Sequence, residues 1–103
     1  MRTFSVKTAV LKKEMIPEYI KHHDNQPPAI TRNLLCKGVV DIELHRYGTL
    51  LIMLLTEDLD KVDMSRFDPE AEKKWDALMA PMFERFWEPS EKIYHLANHF
   101  VKM

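Results

Sequence analysis

Three features of the sequence predict an α+β fold built on one antiparallel sheet. Apolar and polar residues alternate near 2–12 and again at 39–46, a nearly unbroken apolar run fills 49–56, and two helix-like stretches carry proline in their first turn. Period-two alternation sends successive side chains to opposite faces of a strand. In the first strand Phe4, Val6, Thr8, Val10 and Lys12 therefore share one face, and Ser5, Lys7, Ala9 and Leu11 the other. β-branched residues favour this conformation.

Pro17 opens the first helix, where its missing N–H is tolerated, and the helix continues to about Asp24 before Asn25-Gln26-Pro27-Pro28 breaks it. A second helical piece runs through Ile30, Leu34 and Leu35, with Gly38 as a left-handed stop. Val39 to Arg46 reads as the second strand, with Val40, Ile42 and Leu44 on one face and Asp41, Glu43 and His45 on the other. Tyr47-Gly48 turns the chain into the third strand, at 49–56, whose apolar residues require cover on both faces.

The segment 58–67 is charged and turn-rich, with a short helix expected around Asp60–Met64. Asp68 is the expected N-cap of the last helix, Pro69 its first residue, and Glu70 and Glu72 suit the positive end of its dipole. Ala71, Trp75, Leu78, Met79, Met82, Phe83 and Phe86 recur at helical spacing, and Pro81 interrupts that pattern near Ala77–Ala80. Lys92-Ile93-Tyr94-His95-Leu96 is the expected fourth strand. The resulting order is βαββαβ, the ferredoxin-like sandwich. Helices on one face leave the other face of the sheet bare, and the apolar third strand does not tolerate such exposure. Two copies face to face would form a dimeric α/β barrel with a cavity in each half, so a homodimer is expected.

At 103 residues the chain fits a single domain, 1–103, with no room for a second. A net charge of -1 without a basic block argues against nucleic acid and against a polybasic membrane patch, leaving small neutral or weakly charged ligands. No segment is long enough to span a bilayer, and the first residues alternate where a signal peptide would be continuously apolar. The lone Cys36 cannot form an intramolecular disulfide. These features lead to an expected cytoplasmic location. One cysteine and no second clustered ligand set beside His95 and His99 also argue against a zinc site.

The densest chemistry lies in Glu18-Tyr19-Ile20-Lys21-His22-His23-Asp24. Residues four apart share a helical face, so Met15, Tyr19 and His23 form one stripe beside Ile16 and Ile20. An aromatic hydroxyl one turn before an imidazole suits proton transfer, although the same spacing occurs in half-buried surface pairs. Trp75 fits either a core position or a flat platform for a ligand, and His45 either a site residue or the surface of a hairpin.

Along these residues the chain resembles the L-rhamnose mutarotase family of small dimeric α/β-barrel proteins. The resemblance spans nearly the whole length. It is carried by Glu18-Tyr19 with His23, Gly38 opening the second strand, Leu50-Leu51, Trp75 with Met79 and Met82, and Lys92-Ile93-Tyr94-His95-Leu96. It implies that His23 is the proton donor and that Tyr19 and Trp75 contact the sugar. Lys74-Trp75 stands where the family has two tryptophans, and Ile42 falls where it has a tyrosine. Alternation sends Asp41, Glu43 and His45 away from the apolar helices and into the expected cavity, whereas the count from Gly38 sends Ile42 there.

Mutarotation opens a reducing sugar, rotates about C1–C2 and closes it again, with no metal, cofactor or redox step. One group takes the anomeric proton while another protonates the ring oxygen, and a histidine with an ordinary pKa near 6.5 has both forms accessible around neutrality. His23 is the expected catalytic acid. Tyr19, Trp75, Lys74, Glu43 and His45 are the expected substrate contacts, with Glu43 and His45 candidates for the complementary base. The implied substrate is a monosaccharide, a 6-deoxy sugar with L-rhamnose first and L-fucose as the alternative. A cofactor-independent monooxygenase on the same barrel and a non-catalytic sugar-binding protein are the competing classes.

Overall fold

The architecture is that of a four-stranded antiparallel sheet with helices over one face, seen in a computed structural model that describes residues 1–99. Strands β1 (Arg2–Leu11), β2 (Val39–Tyr47), β3 (Leu50–Asp58) and β4 (Phe83–Pro89) lie in the order β2-β3-β1-β4. Helices α1 (Ile16–Asp24) and α2 (Pro28–Cys36) connect β1 to β2, and α3 (Pro69–Met79) connects β3 to β4. This is the ferredoxin-like α+β arrangement. No described helix is long and apolar enough to cross a membrane.

Register fixes which residues face the helices. Ala9 pairs with Leu51, Leu44 with Met53 and Ile42 with Leu55, and this set turns toward the helix layer. Ala9, Leu11 and Leu51 pack there with Tyr19 of α1, Met79 of α3 and Met82. The opposite face carries Phe4, Val6, Val10, Ile52 and Leu54, with Glu43 and His45 beside them on β2. No described element covers it, and Phe4 is 57% exposed.

α2 is tied to α3 by one buried amide. The fully buried Asn33 donates from Nδ2 to the Asp68 carbonyl oxygen at 2.8 Å and accepts the Asp68 backbone N–H at Oδ1, also at 2.8 Å. Asp68 in turn caps α3 by accepting the Ala71 N–H at 3.0 Å. A buried amide satisfied on both sides stabilises the join, and loss of either partner would strand a polar group away from water.

Two expected elements differ. The fourth strand is Phe83–Pro89 and not Lys92–Leu96; α3 ends at Met79, and a single 3₁₀ turn at Ala80–Met82 leads into extended backbone at Phe83. Pro81 does interrupt the helix, but it also ends the helical stripe, so Phe83 and Phe86 belong to the sheet. Phe83, Arg85 and Trp87 alternate in burial with Glu84, Phe86 and Glu88, a period that spacings of three and four conceal over so short a run. Residues 92–95 lie outside any strand, and Leu96–His99 form a 3₁₀ turn with Ile93 88% exposed before it. The helix expected at Asp60–Met64 is replaced by two 3₁₀ turns, Leu59–Lys61 and Met64–Arg66. Asp58 and Asp63 cap them separately, accepting the Asp60 and Ser65 backbone N–H groups at 3.0 Å each.

Gly38 ends α2 with φ +87, and its carbonyl accepts the Asp58 N–H at 2.8 Å. A Cβ at this position would lie 2.6 Å from the Asp58 carbonyl oxygen. Gly38→Ala is therefore expected to destabilise the protein by at least ~1 kcal/mol, from left-handed backbone strain alone. Urea unfolding of the two proteins checks this, and equal midpoints would contradict it.

Candidate active site

A cavity of about 610 Å³ opens between the helices and the helix-facing side of the sheet, within the size range of small-molecule sites. α1 brings Tyr19 and His23 into its wall, and α3 brings Glu72, Trp75 and Asp76. β2 and β3 form the floor with Ile42, Leu44 and Met53, while Phe83, Phe86 and Trp87 close one side from β4. α1 can present Tyr19 and His23 together because they are four residues apart on a helix whose first turn holds Pro17.

His23 is held at one nitrogen. Its Nδ1 lies 2.9 Å from the Tyr19 carbonyl oxygen, and a carbonyl only accepts, so Nδ1–H is the donor. In the neutral ring the lone pair is then on Nε2, which has no protein partner among the described residues. Burial is the main force on the ring's protonation and lowers its pKa below the ordinary 6.5; the Tyr19 carbonyl opposes this, His22 adds to it and Asp24 offsets it. The imidazolium of His23 is accordingly a stronger acid than that of a free histidine.

Aromatic rings surround this imidazole. Tyr19 tilts against it with centroids 4.2 Å apart, and Trp75 meets it edge-on at 5.3 Å. Phe83 packs edge-on against Tyr19 at 5.7 Å and contacts Trp87 at 5.9 Å. Tyr19 is only 4% exposed, and burial pushes its phenol well above the usual range, so it stays protonated. Its hydroxyl has no protein partner among the described residues, yet no sealed polar atom there is left unpaired, so Oη keeps some accessible surface.

The structure thus brings Tyr19, His23 and Trp75 together. It does not bring Lys74 or Glu43 to this cavity. Lys74 is exposed on α3, whereas its chain neighbours Trp75 and Asp76 line the wall. Glu43 and His45 pair with each other at 3.4 Å, each more than half exposed, on the bare face of the sheet. His45 also borders a recess of about 190 Å³ shared with Tyr19, His23, Asp24 and Arg46. The cavity lies on the helix side, so Ile42 and Leu44 line it while alternation is kept, and Glu43 and His45 point to the other face of the sheet. A register shift between Val39 and Asp41 accompanies this placement.

Sequence reasoning missed Trp87, Met53 and the polar group Asn33, Lys37 and Glu72. Met53 was within reach, since it pairs with Leu44 across the hairpin. The polar group joins residues 35 to 39 positions apart and leaves no local signature. Among the described residues no three His, Cys, Asp or Glu side chains converge as a metal cage.

A family model described as L-rhamnose mutarotase matches residues 5–100. Among solved structures, the chain is similar to the L-rhamnose mutarotase from Formosa agariphila, with a TM-score of 0.70 and 18% sequence identity over 90% of this chain and 97% of that one. At that identity the likeness speaks for the fold. No curated protein matches the chain. With the match spanning almost the whole sequence, the chain belongs to the L-rhamnose mutarotase family, isomerases that act on the anomeric centre.

Proposed function

We propose that the protein interconverts the α and β anomers of a 6-deoxy-aldohexose, with L-rhamnose first and L-fucose second, and that His23 is its catalytic acid. The observation that carries this reading is the His23 imidazole, fixed through Nδ1 to the Tyr19 carbonyl and free at Nε2 in an aromatic-lined cavity. In the imidazolium form, Nε2–H donates a proton to the ring oxygen as the C1–O bond of the ring breaks. The anomeric hydroxyl releases its proton to a base, and both transfers reverse when the ring closes on the other face. Tyr19 orients the sugar through a hydroxyl that burial keeps protonated. Trp75 offers a flat face to the apolar side of the pyranose.

His23→Ala is expected to lower anomer exchange by about 10²- to 10⁴-fold, the usual contribution of one general acid, with the fold intact by circular dichroism. Near-normal exchange would remove the assignment. The pH profile carries a sign as well. Because burial lowers the His23 pKa, its acid form accumulates only below pH 6.5, and kcat/KM should rise as pH is brought down through neutrality. A rate that falls over that interval would make His23 the base. Saturation-transfer NMR, corrected for the uncatalysed reaction, reads both.

For the substrate, Ile42, Leu44, Met53, Phe83 and Phe86 form an apolar wall on which a C6 methyl can rest. An apolar pocket rejects an added hydroxyl by only about 10²-fold. L-Mannose and L-galactose, the 6-hydroxy counterparts of L-rhamnose and L-fucose, should therefore be exchanged slowly but measurably. Equal rates within each pair would refute the methyl contact.

The bare sheet face supports a homodimer, with Phe4, Val6, Val10, Ile52 and Leu54 covered by a second copy to complete an α/β barrel. Sedimentation equilibrium at micromolar concentration should return twice the chain mass. A well-behaved monomer would exclude the barrel. The free and buried Cys36 suits a reducing cytoplasm.

A further inference from the structure

The cavity wall carries an ion pair that the anomeric chemistry does not use. Glu72 Oε1 lies 2.5 Å from Lys37 Nζ, and Glu72 Oε2 accepts from Asn33 Nδ2 at 3.0 Å. Asn33 is itself fixed to the backbone of Asp68, so the carboxylate is held at both oxygens, by Asn33 within α2 and by Lys37 immediately after it. Neither charge is sealed. The side chains of Glu72 and Lys37 remain 23% and 39% exposed, and both line the cavity. Each carboxylate oxygen has a second lone pair, and the ammonium has further N–H donors, one face of it lying 5.6 Å from the Phe67 ring.

Position gives the pair a function. Glu72 precedes Trp75 by three residues on α3, which puts it on the same face at about 4.5 Å along the axis. The Trp75 ring is 5.3 Å from that of His23. His23, Trp75, Glu72 and Lys37 line one cavity, so a pyranose seated on Trp75 with its anomeric carbon at His23 leaves its remaining ring hydroxyls for polar groups elsewhere on that wall. An oriented carboxylate beside an ammonium matches neighbouring hydroxyls, accepting from one and donating to the next.

We propose that Glu72 and Lys37 form a hydroxyl-reading pair that sets the preference of this cavity among aldose epimers. The apolar wall cannot supply that preference, because epimers differ only in the direction of a hydroxyl. A site built to hydrogen-bond a hydroxyl discriminates far more strongly than an apolar pocket. The pair binds the sugar in the ground and transition states alike, so its loss should appear in KM and leave kcat nearly unchanged.

The inference rests on the mutarotase reading, and the two fail differently. The test measures kcat and KM for L-rhamnose and L-fucose with the full chain, with Glu72→Gln, and with Lys37→Met, whose target lies at the accessible end of the pair. Binding of the corresponding methyl glycosides, which cannot open, is followed by NMR shift changes. In both variants KM should rise about tenfold or more with kcat within about threefold, and the ratio of the two sugars should move toward one. Lys37→Arg, which keeps a cation and its donors, should recover most of the KM. Unchanged KM and unchanged sugar ratio in both variants would overturn the subsite while leaving the mutarotase reading standing. Wild-type protein that neither exchanges the sugars nor binds their glycosides would overturn both.

Discussion

The cavity follows from a mismatch of lengths. A nine-residue helix is about 14 Å long and a nine-residue strand about 30 Å, so the short helices of this chain cannot roof its sheet. α1 and α2 divide the task between them, with Asn25-Gln26-Pro27 separating them, and α3 lies alongside. The buried amide of Asn33 closes one junction in this roof, between α2 and the capped start of α3. The space left over a floor of Ile42, Leu44 and Met53 is the cavity. Its walls are therefore helix and strand residues held from several sides, which is the kind of support that keeps a site preorganised.

Within that space, desolvation acts on two groups in opposite directions and reaches one outcome. It raises the Tyr19 phenol and lowers the His23 imidazole, so both side chains rest in the neutral form near pH 7. Neither brings a permanent charge next to a neutral sugar. A fixed imidazolium would bind oxygen atoms well but would release its proton reluctantly, whereas a destabilised one gives it up more readily. The same shift makes His23 a small liability for the fold in acid. The unfolded chain binds a proton at His23 more readily than the folded one, so stability from this group is fullest above pH 6.5 and declines as pH falls from there through the lower folded value.

Much of this was readable from local pattern. Pro17, Gly38, the Tyr47-Gly48 turn and Asp68 with Pro69 are punctuation whose physics is confined to a few residues, and the elements they bound appear where expected. The Tyr19 and His23 pairing was readable for the same reason, since four residues on one helix determine their own neighbourhood. β4 was not, because Phe83 and Phe86 fit a helical stripe and a short strand alike until Pro81 is given the power to end the helix outright. The side on which the cavity opens was also hidden. Periodicity divides Ile42 and Leu44 from Glu43 and His45, but only the helix layer says which set faces the cavity. Lys37, Asn33 and Glu72 meet through tertiary packing alone, and no local rule anticipates them.

The alternation of β2 and β3 leaves little freedom in how these two strands pair. Leu51, Met53 and Leu55 serve the helix side, while Ile52 and Leu54 serve the uncovered face, and Ile42 and Leu44 pair with the first set. A slip of one residue would put Glu43 and His45 over the core and Ile42 on the open face, exchanging two environments at once. The shift between Val39 and Asp41 lies at the far end of the strand, next to Gly38, whose close approach to Asp58 admits no side chain. The helix stop, the pairing register and the floor of the cavity are thus set by one short stretch, Gly38 to Asp41. That stretch decides whether an apolar residue or a charged one meets whatever enters beneath Trp75.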